Sequence, residues 1–146
     1  MKNKAKKRSL TLFEVMIVIF IIGIIGSVVG YNMRGSLDQG KAFKTKEAIS
    51  KVYNIVQMEM SSKEIDELAG SDSDAIRGKV TEVLKSSGFV SKPDHLVEDG
   101  WKEPLVFTVE KHGGENEIRM SSNRYEKFYQ KKNKNAEYPW EKDDSH

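Results

Sequence analysis

Glu14 is the residue with the clearest chemical consequence in this sequence. It stands in an otherwise apolar run from Leu10 to Tyr31, where Thr11 and Ser27 are the other clearly polar side chains. A carboxylate costs on the order of 2.5–3.5 kcal/mol at the centre of a bilayer and less near the interface, so it calls for a cationic partner or for the headgroups. That chemistry is ion pairing, a means of recognition. The sets needed to make or break bonds are missing. The chain has no cysteine, so thiol catalysis, thiolate metal sites and disulfides are excluded. His95, His112 and His146 are scattered, and His112-Gly113-Gly114 reads as a hairpin turn. The chain is expected not to be an enzyme.

The element that positions Glu14 is the apolar run itself. About 20 helical residues at 1.5 Å each cover the roughly 30 Å hydrocarbon core. Lys2, Lys4, Lys6, Lys7 and Arg8 precede it without an acid, which holds the N-terminus in the cytoplasm and sends the rest across. The run is longer than a signal-peptide core and no A-x-A-like site follows it, which argues against ordinary signal cleavage. Without its first nine residues the chain has 19 basic against 22 acidic side chains, so its basic balance belongs to the leader. Lys131-Lys132-Asn133-Lys134 is short and has acids nearby, and nucleic-acid binding is not expected. Gly23, Gly26 and Gly30 on the same run permit close helix approach, or reflect the glycine tolerance of membrane helices.

Beyond the membrane, Ala42, Lys46, Ile49, Tyr53, Val56 and Met60, adjoined by Val52 and Phe43, recur at helical spacing. No proline interrupts residues 10–60, and one long helix is expected, with Tyr53, Met58 and Met60 as core contacts. Residues 61–70 read as a loop with a short helical piece. Ser71-Asp72-Ser73-Asp74 offers caps for a second helix from about Asp74 to Ser87, closed by Gly88, with Phe89 and Val90 then entering the core. Leu105–Val109 and Glu117–Met120 flank the glycine turn as a β-hairpin. Tyr125, Phe128 and Tyr129 are assigned to a third strand in preference to a short helix. This order gives an α+β fold, with a long N-terminal helix packed on a small antiparallel sheet.

The string Lys7-Arg8-Ser9-Leu10-Thr11-Leu12-Phe13-Glu14-Val15-Met16 resembles the class III signal of type IV pilins and type II secretion pseudopilins. The resemblance implies cleavage by a prepilin peptidase between Ser9 and Leu10, N-methylation of Leu10, and a role for Glu14 in assembly. Glu14 would pair with the new amine of a neighbouring subunit, or else snorkel to the headgroups. Ser9 and Leu10 stand where the family usually has glycine and phenylalanine, and the family's proline near Tyr31 is absent. Asp99-Gly100-Trp101-Lys102-Glu103-Pro104 resembles the D-P-W-G-x-P segment of the major, G-class pseudopilin, matching at Asp99, Trp101 and Pro104. Ser87-Gly88-Phe89-Val90 is similar to that family's preceding G-Y-[IL]. The family's calcium loop would fall at Met120–Tyr125, where no aspartate occurs and Arg124 opposes a dication, so no metal and no cofactor is expected. A salt bridge from Arg124 or Lys127 is the expected substitute.

The expected organisation is a cytoplasmic leader over 1–9, a membrane and assembly helix over 10–33, a periplasmic pilin-like domain over 34–129 and a charged, flexible tail over 130–146, anchored in part by Tyr138 and Trp140. The resemblance implies an inner-membrane structural pseudopilin, a homo-oligomer that forms a periplasmic filament driving protein export. Its implied partners are minor pseudopilins, the inner-membrane secretion platform, the prepilin peptidase and membrane lipid. The alternatives are a type IV pilin for surface fibres or DNA uptake, and a single-pass protein displaying a binding domain.

Overall fold

A computed structural model describes residues 11–141 and divides the chain into two units, Met1–Leu37 and Asp38–His146. The division falls after Leu37 instead of after residue 33. The reason is local: Asp38 is the first residue of the helix that the domain holds, accepting a hydrogen bond from Trp101 Nε1 at 3.3 Å. Helix α1, Leu12–Glu59, supplies residues to both units.

In the first unit α1 buries nothing, and its apolar side chains are exposed from Leu12 to Leu37. In the second unit the same helix buries Ala42, Thr45, Ala48, Ile49, Val52, Ile55 and Val56, a stripe at spacings of three and four. Met60 is buried with them and Tyr53 packs against them. Phe43 and Met58 do not join the core. They lie off the stripe centred on Ile49, Val52 and Val56, and both are exposed.

After α1 comes the short α2, Ser62–Glu67, opened by a complete capping box in which Ser61 and Glu64 satisfy each other's backbone amides. Helix α3, Ser73–Ser87, is capped by Asp72 and buries Ile76, Val80 and Leu84. It stops at Gly88, whose φ of 74° no β-carbon-bearing residue adopts cheaply. That reversal carries Phe89 out to the surface, and only Val90 packs partly against the core, against the expectation for this pair. One turn of helix, α4 (Pro93–Leu96), leads into the 97–105 segment.

Strands β1, Val106–His112, and β2, Glu115–Ser121, pair antiparallel with Phe107 opposite Met120 and Val109 opposite Ile118. Gly113 and Gly114 close the hairpin at positive φ. Among the described residues the sheet has two strands. The expected third strand is instead helix α5, Asn123–Gln130. Tyr125, Phe128 and Tyr129 are spaced three and four apart, which suits a helix face, and Ser122 Oγ caps it through the Tyr125 amide at 3.2 Å.

In the charged tail Tyr138 and Trp140 do anchor the chain, while residues 131–135 are exposed. Trp140 is 7% exposed and Tyr138 packs beside it, the two rings stacked 4.8 Å apart at 7°. Lys46 Nζ donates to Glu137 at 3.0 Å, a hydrogen bond that raises the lysine's pKa, and Tyr125 Oη donates to the Glu137 carbonyl at 2.9 Å. The α1 stripe, α3, the hairpin, α5 and Trp140 thus share one core. The whole is an α+β, pilin-like arrangement, with a long N-terminal apolar helix and a small two-stranded sheet on its second half.

Candidate assembly surface

The start of α1 is fixed by its own sequence. Thr11 precedes the first turn, and its Oγ1 accepts from the Glu14 amide at 3.3 Å while its carbonyl accepts from the Val15 amide at 3.2 Å. Thr11-Leu12-Phe13-Glu14 is therefore also an S/T-x-x-E helix start, a local signal legible in the sequence beside the apolar run. Glu14 lies in the first turn, where a carboxylate is favoured by the amides at the positive end of the helix dipole. Its side chain is exposed, open to a partner from outside the chain. The Ser9–Leu10 bond and the amine that cleavage would create lie outside the described residues.

From Val15 to Gly26 the helix offers only apolar surface, with Phe13 just before it 70% and Phe20 69% exposed. Soluble monomers rarely expose a continuous patch of this extent, and hydrocarbon or other helices are what satisfy it. Ser27 is neutralised locally, its hydroxyl donating to the Gly23 carbonyl at 2.8 Å. A β-carbon at Gly23, Gly26 or Gly30 would meet nothing within 4 Å, so contacts among the described residues give no reason for these glycines.

The domain is joined to α1 through the segment that resembles D-P-W-G-x-P. Asp99 is 3% exposed and accepts from the Trp101 and Glu103 amides, each at 2.9 Å, and from Ser122 Oγ at 2.8 Å. One carboxylate thereby holds its own loop and the cap of α5. Gly100 lies against α1: its amide donates to Thr45 Oγ1 at 2.8 Å, and a β-carbon there would collide with the backbone of Lys41. Lys102 has a φ of 64°, in the left-handed region, where the resembled segment carries glycine. The two departures from that segment are thus unlike. Gly100 is required by the close approach, whereas Lys102 is strained.

Arg124 Nε pairs with Glu103 at 3.1 Å, with both side chains about half exposed. No group of acids or histidines arranged to hold a metal occurs among the described residues. Burial pushes the Tyr125 and Tyr138 hydroxyls well above the ordinary phenol range, with Tyr138 also donating to Glu126 at 2.8 Å. Under Trp140, Arg119 sits 5.6 Å from the ring centroid and pairs with Glu110 at 3.2 Å. Arg119, Tyr125 and the Tyr138–Glu126 pair fasten the 137–140 segment to β2 and α5.

Residues 4–30 match the family described as the prokaryotic N-terminal methylation motif. The chain is 37% identical over 112 residues to a protein of Chlamydia muridarum named "Putative outer membrane protein", covering 77% of this chain and 86% of that one. A protein of the same name from Chlamydia trachomatis serovar D gives the same identity and coverage, and one from Chlamydia pneumoniae is 34% identical over 113 residues, covering 77% and 87%. No solved structure matches the chain. The apolar first half of α1 is a membrane anchor and lies within the prokaryotic N-terminal methylation motif, and the match to the chlamydial proteins extends well past it: this chain belongs to their family and is a type IV pilin-like protein.

Proposed function

We propose that this protein is a structural pseudopilin subunit, clipped between Ser9 and Leu10 by a prepilin peptidase and assembled through α1 into a periplasmic filament of a type II secretion system. It acts by packing against copies of itself, without catalysis or a cofactor. Minor pseudopilins and the inner-membrane secretion platform are its further partners, with membrane lipid around the unassembled helix. The observation that carries this reading is an exposed carboxylate in the first turn of a helix whose apolar side chains are exposed from Leu12 to Leu37, inside the methylation motif. Removing the leader would leave an amine at Leu10, and Glu14 of an adjacent subunit is the group that offsets its desolvation. The basic leader supports entry into the inner membrane with the domain on the periplasmic side.

Mass spectrometry of the membrane-extracted chain should find a methylated Leu10 at its N-terminus. Glu14→Ala should be processed and anchored normally yet fail to form filaments, a loss of at least tenfold if one ion pair of about 1.4 kcal/mol or more is removed per contact. A native chain retaining Lys2–Ser9 would refute processing, and normal assembly of Glu14→Ala would refute the pairing. A surface fibre is the second reading, favoured by the outer-membrane name of the relatives. Labelling of intact cells from outside would detect it.

A further inference from the structure

A groove of about 820 Å³ runs between the second half of α1 and the 88–96 segment, and the assembly helix makes no use of it. Lys44, Lys51, Lys92 and His95 line it against a single acid, Glu47. Phe89, 57% exposed, stands in its wall, and Phe43, 64% exposed, lies one turn before Glu47 on the same helix. Large aromatics left in water beside lysines form a surface made for contact.

The complementary surface is on the same chain. The last turn of α1, all of α2 and the cap of α3 gather Glu59, Glu64, Asp66, Glu67 and Asp72 against one base, Lys63, while Asp74 beside them is already paired with Arg77 at 2.7 Å. Met58, 71% exposed, adds an apolar contact to this corner. Groove and corner are both built on the second half of α1, which holds them apart, so one molecule cannot insert its corner into its own groove. Two copies can.

We propose that the basic groove receives the acidic α1–α2–α3 corner of a second copy of this chain. The contact uses a different patch on each copy, and a heterologous contact propagates into a filament unless its rotation closes a ring. The proposal rests on the subunit reading above and adds to it the partner surface of the soluble domain.

Because the chain has no cysteine, single reporters can be placed at will. Full-length Ser91→Cys, at the groove, and Ala69→Cys, at the corner, are co-expressed in membranes and treated with a bis-maleimide. The mixture should give a cross-linked dimer, each variant alone should give none, and both substitutions in one chain should give a ladder of multiples. Raised salt should weaken the cross-link. Lys51→Glu with Lys92→Glu should lower the yield about fivefold, and Glu59→Lys with Glu67→Lys in the partner copy should restore it. Ser91→Cys linking to itself as well as to the mixture would mean a symmetric face and overturn the proposal, as would a link only to a species of another mass. Filaments without the cross-link overturn the groove contact and leave the subunit reading standing, whereas absence of filaments from the native chain overturns both.

Discussion

Replacing Gly100 by alanine tests how the domain is fastened to α1. The new β-carbon would stand 2.7 Å from both Cα and the carbonyl carbon of Lys41, and nearer still to its oxygen. Those are helix backbone atoms and cannot swing aside, so the 99–103 loop must withdraw by more than about 1 Å to bring the nearest of them, the Lys41 carbonyl oxygen, to ordinary contact at 3.4 Å. That movement stretches the 2.8 Å bond from the Gly100 amide to Thr45 Oγ1 and the 3.3 Å bond from Trp101 Nε1 to Asp38. Overpacking costs about 1–3 kcal/mol and a strained buried hydrogen bond about 1 more, so we expect a loss near 3 kcal/mol. For a domain of this size that lowers the melting temperature by about 12–20 °C. Both tryptophans, Trp101 and Trp140, lie in the domain, so tryptophan emission of the full chain in detergent follows its unfolding selectively. Gly78→Ala is the control, because a β-carbon there meets nothing within 4 Å in α3 and should stabilise by about 0.5–1 kcal/mol. In Thr45→Val the bond from the Gly100 amide is already gone, and adding Gly100→Ala should then cost less than it does alone. A Gly100→Ala protein melting within about 2 °C of the parent would refute the argument.

Lys102→Gly removes a left-handed lysine and should raise stability by up to about 1 kcal/mol, less the backbone freedom that glycine adds to the unfolded chain; a clear drop in melting temperature would contradict the strain. Trp140→Ala should cost about 3 kcal/mol and expose the 131–141 segment to protease, while an unchanged melting curve would show that this segment is dispensable. Burial raises Tyr125 and Tyr138 above the ordinary phenol value of 10.0, so their contribution is complete below pH 10 and is lost as pH rises above it. An alkaline melt should therefore show phenolate absorbance rising together with loss of structure, whereas smooth ionisation of all five tyrosines in a folded chain would disprove it.

The parts legible in the sequence were those with a periodic or local signal. The apolar run, the α1 stripe through Ile49, Val52 and Val56, the cap and stop of α3 and the glycine turn all follow from spacing or from the demands of single residues. At Tyr125, Phe128 and Tyr129 aromatic β-propensity points to a strand, but the three-and-four spacing and the Ser122 cap decide for a helix. At Phe89 hydrophobicity points inward, but Gly88 sets the direction of the chain and leaves the ring exposed. Gly100 at Lys41 and Trp140 beside Tyr53 join residues far apart along the chain, and no local pattern announces a long-range contact. At the assembly surface, Glu14 was legible from its anomalous position, whereas the basic groove was not, because its lysines lie on two distant segments.

The packing of Trp140 also bears on how the protein is made. Tyr53 meets it at a ring separation of 5.6 Å, and Lys46 reaches Glu137 across 91 residues of sequence. A core that needs Trp140 cannot close until that residue has left the ribosome, long after Tyr53, and loop closure over such separations is slow even afterwards. Under the function proposed above, in which the domain crosses the membrane, late closure would keep the chain extended until Trp140 is available and so delay folding until crossing is under way.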